Sequence, residues 1–330
     1  MKKVLILGKG RMGRAIAHYF KKFKLPIRIK FLLKEKEIKN SSILIGALPS
    51  EIGELGLKLA LKFRKDLIDI SDVDFPFYLK HKKEIFKKGI SVFPEWGFSP
   101  GITNLICGRE ARKNKIKKLE ILAGTLSPQE FFFPFTWCFE DLVEVHKLKA
   151  TLIKMGKRKR LPPFSDYKKE RIEGIEGESY LAEGLCSLIE NLKVRDMSYR
   201  ILRPLGFFYF FKYLESYGFL KKRSFQHIKS ILEKKKNDNL TLAYIKIMTS
   251  KKKILWKIKS FSSKNEKLNS MQKITAIFPV ILLKFLLKKD FPKGKIFFPE
   301  NIGKDESLFR YFLKELKKEI FITRLEKRNP

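Results

Sequence analysis

Three glycines near the start of the chain have the spacing of a turn that binds a dinucleotide. A buried-strand pattern, VLIL, is followed at once by Gly8, Gly10 and Gly13 in the arrangement G-x-G-x-x-G. The first glycine of this pattern makes a tight turn, the second lets a pyrophosphate approach the backbone, and the third lets the next helix pack on the strand. The N-terminus of that helix offers N–H groups and a positive dipole end to the phosphates. We therefore predict a strand, a phosphate-binding turn and a helix.

The second strand bears on which cofactor binds. It is predicted at 27–33 and is followed by Lys34, Glu35 and Lys36. Folds that prefer NAD place an acidic residue after this strand to hold the ribose hydroxyls, and Glu35 is the candidate. The flanking lysines instead suit the 2′-phosphate of NADP. We predict NAD or NADP as the cofactor, with a slight preference for NADP.

Strands and helices then alternate along the chain. The pattern predicts strands at 41–49, 66–72 and 90–95 and helices at 50–63 and 74–88. This alternation indicates an α/β fold with a Rossmann-type doubly wound parallel sheet and ligand sites at the carboxyl ends of its strands. The strand at 41–49 follows so soon that the sheet is expected to be trimmed. A second α/β domain with a mixed sheet is expected after it.

Two later segments have more specific patterns. EWGFSPGITNLICG (Glu95–Gly108) resembles the G-x-x-P-G-x-x-N-x-x-x-G turn and helix of the saccharopine dehydrogenase family, which includes lysine 6-dehydrogenases. FEDLVEVHKLKATLIKMGKRKRLPPFS (Phe139–Ser165) is similar to the family's segment in which a strand turns at a glycine and continues into a proline-containing exit. In the first segment Pro100 and Gly101 open a helix, whose N–H groups would face the nicotinamide or a substrate carboxylate.

The resemblance continues in order along nearly the whole chain. GIEGESYLAEGLCSL (Gly174–Leu188) is similar to the family's G-I-G-x-x-E-x-x-x-T-D-G-L block, LRPLGF (Leu202–Phe207) to its R-Y-P-G-H element, and 270–303 to its late helix and K-G-V-x-P-P-E turn. The chain departs from this pattern in two places: Ala182-Glu183 stands where the family commonly has Thr-Asp, and Phe207 where it commonly has His. Losing that histidine removes a proton carrier and a hydrogen-bond donor.

The resemblance implies an NAD(P)-dependent oxidoreductase that interconverts an amine and an imine or carbonyl, working as a homodimer. The nicotinamide carries the hydride, and the protein supplies position, charge and proton transfer. An amino-acid substrate needs a cation for its carboxylate, for which Arg203 is the candidate, and Asn104 is a second candidate substrate contact. The two departures leave an alternative open, a catalytically degenerate relative that binds a nucleotide or a partner.

Four side chains are candidates for proton transfer. Asp72 ends a predicted strand, and Glu178 lies in a family-like block. Glu144 and His146 are two residues apart on a predicted strand, so their side chains would share a face. Instead of transferring a proton, each acid could be a solvated or salt-bridged surface group. Instead of contacting substrate, Asn104 could simply cap the start of the helix.

The cofactor contacts are expected in the turns that follow the strands and at the end of the second strand. They are Gly8, Gly10, Arg11, Met12, Gly13, Glu35, Pro49, Pro100 and Gly101. The domain plan predicted from the sequence is a nucleotide-binding domain at 1–110, a substrate and dimerisation domain at 111–302, and a C-terminal helix and strand at 303–330.

Composition limits the remaining classes of function. The three cysteines are far apart, which argues against a disulfide framework and a structural zinc site and favours the reducing cytoplasm. No metal ligand set is predicted, and the apolar stretch 274–287 is too short and interrupted for a membrane span. The formal charge of +37 is spread along the chain without a nucleic-acid motif. Solvated surface lysines of a lysine-rich proteome are the favoured interpretation of this charge. The alternatives are a weak association with anionic membrane surfaces through aromatic segments such as 131–135 and 207–211, and nucleic-acid binding.

Overall fold

The computed structural model describes residues 3–25, 28–30, 35–129, 138–234 and 236–329, so the aromatic segment 131–135 lies outside the described residues. The chain forms two compact units. The first contains Met1–Asn114, Cys186–Leu192 and Ile274–Glu319, and the second contains Lys115–Leu185, Lys193–Lys273 and Ile320–Pro330.

The strands and helices follow one another in this order. The strands are β1 (Lys3–Leu7), β2 (Arg28–Lys30), β3 (Ile43–Gly46), β4 (Asp66–Asp69), β5 (Ser91–Phe93), β6 (Lys118–Leu126), β7 (Ala150–Lys154), β8 (Lys157–Leu161), β9 (Lys168–Ile172), β10 (Ile175–Leu181), β11 (Asp196–Pro204), β12 (Asn239–Met248), β13 (Lys252–Ser262), β14 (Lys295–Ile296) and β15 (Phe321–Arg328). The helices are α1 (Arg11–Lys22), α2 (Glu35–Lys39), α3 (Leu55–Phe63), α4 (Phe75–Lys80), α5 (Lys82–Lys88), α6 (Ile102–Lys113), α7 (Phe139–Val145), α8 (Leu188–Asn191), α9 (Phe207–Ser216), α10 (Lys222–Lys234), α11 (Ser270–Leu286), α12 (Pro299–Gly303) and α13 (Glu306–Leu316).

The first unit is built on a parallel sheet in the order β14-β5-β4-β3-β1-β2. Its central strands β1 and β3 pair in parallel, with Leu5 opposite Leu44, and every residue of β3 is buried. Strands buried on both faces in this way appear in the sequence as continuous apolar runs. The predicted doubly wound parallel sheet is confirmed.

Most of helix α11, from Ile274 onward, belongs to the first unit. Phe278 of α11 is fully buried and stacks on Trp96, with ring centroids 4.6 Å apart. The aromatic rings therefore join a late segment to the turn after β5. No helix in the described part of the chain is long and apolar enough to cross a membrane.

The second unit contains a mixed sheet in the order β15-β13-β12-β6-β11-β10-β9. Strands β6 and β11 pair in parallel, and the other pairs along this order are antiparallel. Strands β7 and β8 form a hairpin that turns at Gly156, whose φ is +78°. The predicted mixed sheet and the predicted glycine turn are both present.

One local prediction is wrong. The segment with Glu144 and His146 is helix α7 followed by its C-cap, where the sequence predicted a strand. Phe139, Leu142 and Val143 are buried, a spacing that matches one face of a helix. The V-E-V-H alternation looked like a strand, but packing of this apolar face decides the outcome.

Candidate functional site

The glycine turn has the geometry that its spacing predicts. Gly8 has a φ of +107°, which L side chains rarely adopt, and a Cβ there would collide with the carbonyl oxygen of Ala47. A Cβ on Gly13 would collide with the carbonyl oxygen of Gly8. Both positions therefore require glycine, one for the turn and one for the contact between helix α1 and strand β1.

Gly10 differs from its two neighbours. It is the N-cap of α1, with φ −68° and ψ −168°, and makes no side-chain cap hydrogen bond. A Cβ at Gly10 would meet nothing within 4 Å, so the space over this end of α1 is open. Arg11 and Met12 form the first turn of the helix and are half-buried. An open approach to a helix N-terminus is what a pyrophosphate requires, so these residues fit a dinucleotide.

The turns after β1, β3 and β4 are joined by hydrogen bonds. The Ala47 N–H donates to the Leu7 carbonyl at 2.9 Å, and the Leu48 N–H donates to Ser71 Oγ at 3.0 Å. Pro49 follows as the N-cap of the short 3-10 turn Ser50–Ile52. The carboxyl edge of the sheet is thus held as one surface beside the glycine turn.

Glu35 is the first residue of α2 and is exposed. Its carboxylate accepts a hydrogen bond from Lys62 Nζ at 2.6 Å. This hydrogen bond and the charge of Lys62 lower the pKa of Glu35 below its usual value. The acid expected to hold the ribose is therefore already paired with a lysine.

Asp69, which the sequence reasoning passed over, is the buried acid at the end of β4. It accepts hydrogen bonds from the Ser71 N–H at 2.8 Å and from Tyr78 Oη at 2.9 Å. Burial raises the pKa of Asp69 to about 6. Asp72, the predicted candidate, is exposed three residues later. Burial and the charge of Asp69 raise the pKa of Tyr78, and the charge of Asp72 adds a smaller effect. The only hint of Asp69 in the sequence is its place as the last residue of an apolar strand.

Asn104 lies between two buried glutamates of the first unit. Its Nδ2 is 3.2 Å from Glu95 Oε2 and 3.4 Å from Glu300 Oε2. Ser187 Oγ donates to Glu95 at 2.5 Å, and Asn191 Nδ2 donates to Glu300 at 2.5 Å. Burial raises the pKa of both glutamates, and the charge of Glu300 raises that of Glu95 further. Asn104 thus donates to a carboxylate pair.

The helix that carries Asn104 begins at Gly101, directly after Pro100. Gly101 is the N-cap of α6, and its N–H donates to Asn104 Oδ1 at 3.4 Å. Further along α6, a Cβ on Gly108 would collide with the Glu300 backbone of α12. Close packing of α6 on α12 therefore brings Glu300 to Asn104, which explains the glycine spacing of the motif.

Arg203 and His146 are in contact in the second unit. Arg203 is the penultimate residue of β11 and is 1% exposed, and its Nε donates to His146 Nε2 at 3.3 Å. His146 Nδ1 is 2.5 Å from the Leu142 carbonyl, which places the proton of the neutral ring on Nδ1. Burial and the charge of Arg203 lower the pKa of His146 well below its usual value. The guanidinium also lies 5.6 Å from the centroid of the Phe207 ring.

The two remaining acid candidates differ in their surroundings. Glu178 faces Arg203 across the β10–β11 pair, and its carboxylate accepts from the N–H groups of Gly206 at 2.8 Å and Phe208 at 2.5 Å. Burial raises the pKa of Glu178, and these hydrogen bonds oppose that shift. Glu144 is exposed and pairs with Lys147 at 2.8 Å. Because α7 is a helix, Glu144 and His146 do not share a face.

Both departures from the family pattern have defined contacts. Glu183 accepts hydrogen bonds from the N–H of Thr151 at 3.1 Å and from its Oγ1 at 2.5 Å, which fixes β7 to the turn after β10. Phe207 is buried, with its ring centroid 4.8 Å from that of His146. An imidazole from α7 therefore lies beside the position where the family has a histidine.

The parallel sheet, the glycine turn and the second mixed sheet together define a Rossmann-type α/β protein. The chain belongs to the saccharopine dehydrogenase family, because residues 97–322 match the family described as "Saccharopine dehydrogenase C-terminal domain".

One solved structure shows the same fold, and a second is a more distant match. Saccharopine dehydrogenase (L-Glu forming) from Saccharomyces cerevisiae matches with a TM-score of 0.73 and 16% identity, over 99% of this chain and 100% of that one. Amine dehydrogenase from Mycobacterium smegmatis has a TM-score of 0.46 and 11% identity, over 91% of this chain and 95% of that one. A comparison with curated proteins gives no significant match.

Proposed function

We propose that this protein is an NAD(P)-dependent oxidoreductase that transfers a hydride at a carbon–nitrogen bond of an amino acid or a related amine. The observation that carries the proposal is the open space at Gly10, between two positions where only glycine fits. This arrangement leaves the N-terminus of α1 accessible to a pyrophosphate. Membership of the saccharopine dehydrogenase family supports the amine substrate class.

The cofactor is assigned to the glycine turn and the neighbouring turns of the first unit. Gly8, Gly10 and Gly13, with Arg11 and Met12, would hold the pyrophosphate. Pro49, Pro100 and Gly101 would line the path toward the nicotinamide. At the adenosine end, Lys62 lies beside Glu35 and supplies a cation for a 2′-phosphate, which supports the preference for NADP.

The chemical roles are assigned separately in each unit. When bound, the nicotinamide would take or give the hydride. In the first unit, Asp72 is exposed after β4 and is the candidate proton acceptor. Asn104 would act indirectly, through the carboxylates of Glu95 and Glu300 that it contacts. In the second unit, Arg203 is the candidate cation for a substrate carboxylate, and neutral His146 would position it. The contacts of Glu178 and Glu144 favour structural roles over proton transfer.

A second candidate is a family member that binds a nucleotide or a partner without catalysis. The burial of Arg203 favours it, because the guanidinium already contacts His146, the Leu202 carbonyl and the Phe207 ring. A substrate carboxylate would have to displace some of these contacts.

A turnover assay separates the two candidates. The purified protein is incubated with NAD⁺ or NADP⁺ and single amino acids or diamines, and reduced nicotinamide is followed by absorbance. We expect amine-dependent reduction that Gly10→Val abolishes. Saturable nucleotide binding without oxidation of any amine, and without the reverse reductive reaction, would support the non-catalytic candidate. Failure to bind either nucleotide would contradict both the cofactor assignment and the oxidoreductase.

A further inference from the structure

The outer face of α9 carries aromatic side chains that the protein leaves exposed. Tyr209, Tyr213 and Tyr217 follow one another at four-residue spacing, so they share one side of the helix and its C-cap. They are 60%, 63% and 75% exposed, and Phe210 and Phe219 beside them are 39% and 46% exposed. These five residues are called the aromatic face below. Contiguous exposed apolar surface of this kind marks an interaction site.

The opposite side of α9 is fixed to the second unit. Phe207 and Phe211 are buried, and their ring centroids lie 4.8 and 5.2 Å from that of His146. The Glu178 carboxylate accepts the N–H groups of Gly206 and Phe208 at the start of the helix. The helix is therefore anchored, and its aromatic face is displayed on a defined surface.

The net charge of the segment that carries the aromatic face indicates an anionic partner. Residues 205–236 contain eight lysines or arginines and two acidic residues, a net charge of +6 in a chain of +37. Two copies of this surface would repel each other, which disfavours a second copy as the occupant. An anionic surface is complementary to the cations and also accepts aromatic rings.

The order of residue types favours a lipid surface over a nucleic acid. Grooves that bind single strands place cations along the backbone path beside the stacking rings. On α9 the single cation, Lys212, is paired with Glu215 at 2.9 Å, and the basic run begins only at Lys221, after the helix has ended. A tyrosine-rich core with flanking lysines is typical of helices at the membrane interface, where the ring is buried and the hydroxyl stays in water.

We propose that the aromatic face of α9 docks the protein reversibly on anionic lipid bilayers. The tyrosine rings enter the boundary between headgroups and acyl chains, and the net positive charge of residues 205–236 attracts the lipid phosphates. The aromatic face belongs to the second unit and the cofactor turn to the first, so the proposed docking is a second binding function of the chain.

Sedimentation with lipid vesicles tests the proposal. The protein is mixed with vesicles of phosphatidylcholine, with or without phosphatidylserine, at low and high salt. We expect binding to the anionic vesicles that weakens with salt, because the attraction of lysines to lipid is screened. The triple variant Tyr209→Ser, Tyr213→Ser, Tyr217→Ser should bind the anionic vesicles at least about tenfold more weakly than the wild type, because three rings no longer enter the interface.

A matched control removes three exposed aromatic residues elsewhere. Phe86, Phe261 and Phe321 are 74%, 50% and 69% exposed, and their replacement by serine should leave vesicle binding unchanged. Circular dichroism and the unfolding midpoint show whether each variant folds. If the triple variant does not fold, Tyr217→Ser alone, beyond the end of the helix, is used and should still weaken binding.

Several outcomes would overturn the proposal. Equal binding to neutral and anionic vesicles would do so, as would equal binding by the wild type and the folded tyrosine variant. A wild type that ignores vesicles, but forms a dimer by light scattering that the tyrosine variant loses, would assign the face to a second copy. Preferential binding of a single-stranded RNA through the same tyrosines would assign it to a nucleic acid.

Discussion

Arg203 donates a hydrogen bond from Nε to Nε2 of His146 over 3.3 Å, with both side chains buried. The imidazole receives this hydrogen bond because its proton is on Nδ1, directed at the Leu142 carbonyl. A helix and a strand that are distant in the sequence therefore fix the orientation of one guanidinium. If Arg203 binds a substrate carboxylate, His146 sets the direction from which that carboxylate must approach.

Replacing His146 by Phe should lower the free energy of unfolding by about 1–3 kcal/mol, because Arg203 Nε would lose a buried acceptor. Denaturant unfolding followed by circular dichroism measures this change. Glu144→Ala is the control, since that carboxylate is exposed and its loss should cost less than about 0.5 kcal/mol. Equal losses in both variants would show that α7 as a whole, and not the contact with Arg203, is responsible.

His146 should also make the protein less stable in acid. Its pKa in the folded state lies well below the usual 6.5, so the unfolded chain binds a proton that the folded chain does not. The stability contributed by the neutral ring is therefore present above pH 6.5 and is lost as the pH falls below that value. The free energy of unfolding of the wild type, compared with His146→Phe between about pH 5 and about pH 8, should reveal this. Parallel curves for the two proteins would contradict it.

Asp69 should have the opposite pH dependence. Its pKa is raised from 3.8 to about 6 in the folded state, so the folded chain holds this proton more tightly than the unfolded chain. The stabilising contribution is complete below pH 3.8 and is lost as the pH rises through about 6. A shift of this size corresponds to roughly 3 kcal/mol. Asp69→Asn should remove this pH dependence, whereas Asp72→Asn, at an exposed carboxylate, should retain it.

Asn104→Leu should destabilise the first unit by about 2–3 kcal/mol, because two buried carboxylates lose a donor. If Asn104 acts through Glu95 and Glu300, the loss should be smaller in the background of Glu300→Gln, where one of the carboxylates is already neutral. A double-mutant cycle of unfolding free energies measures this coupling. Strict additivity would show that Asn104 and Glu300 act independently.

Local chemistry explains which parts of the structure could be predicted from the sequence. The turn at Gly8–Gly13 and the strands around it depend on neighbouring residues, so spacing and hydrophobic pattern were sufficient. The segment with Glu144 and His146 was predicted wrongly, because short alternation resembles a strand while tertiary packing selected a helix. The family resemblance indicated both α6 and the turn before α12 correctly.

The buried polar groups could not be predicted in the same way. Glu95 and Glu300 are brought together by the packing of α6 on α12, and no pattern within either segment signals the partner. Asp69 was missed for a related reason: its partners Ser71 and Tyr78 come from the next turn and helix. Sequence spacing indicates which residues share a face, whereas burial of a carboxylate depends on the whole fold.

The most direct test of the central claim is a titration with NADH and NADPH of the wild type, Gly10→Ala and Gly10→Val, with the unfolding midpoint of each protein. Tryptophan fluorescence transfer to the nicotinamide reports binding. Because Gly10 has open space and an ordinary φ, both variants should fold as stably as the wild type. The affinity for the nucleotide should decrease from the wild type to Gly10→Ala and again to Gly10→Val, by about tenfold or more for valine, since a side chain there occupies the pyrophosphate site.

Gly8→Ala and Gly13→Ala are the controls. They should instead lose more than about 2 kcal/mol of stability, since a side chain at either position collides with the backbone. Folded Gly10 variants that bind either nucleotide as tightly as the wild type would contradict the assignment of the cofactor to this turn.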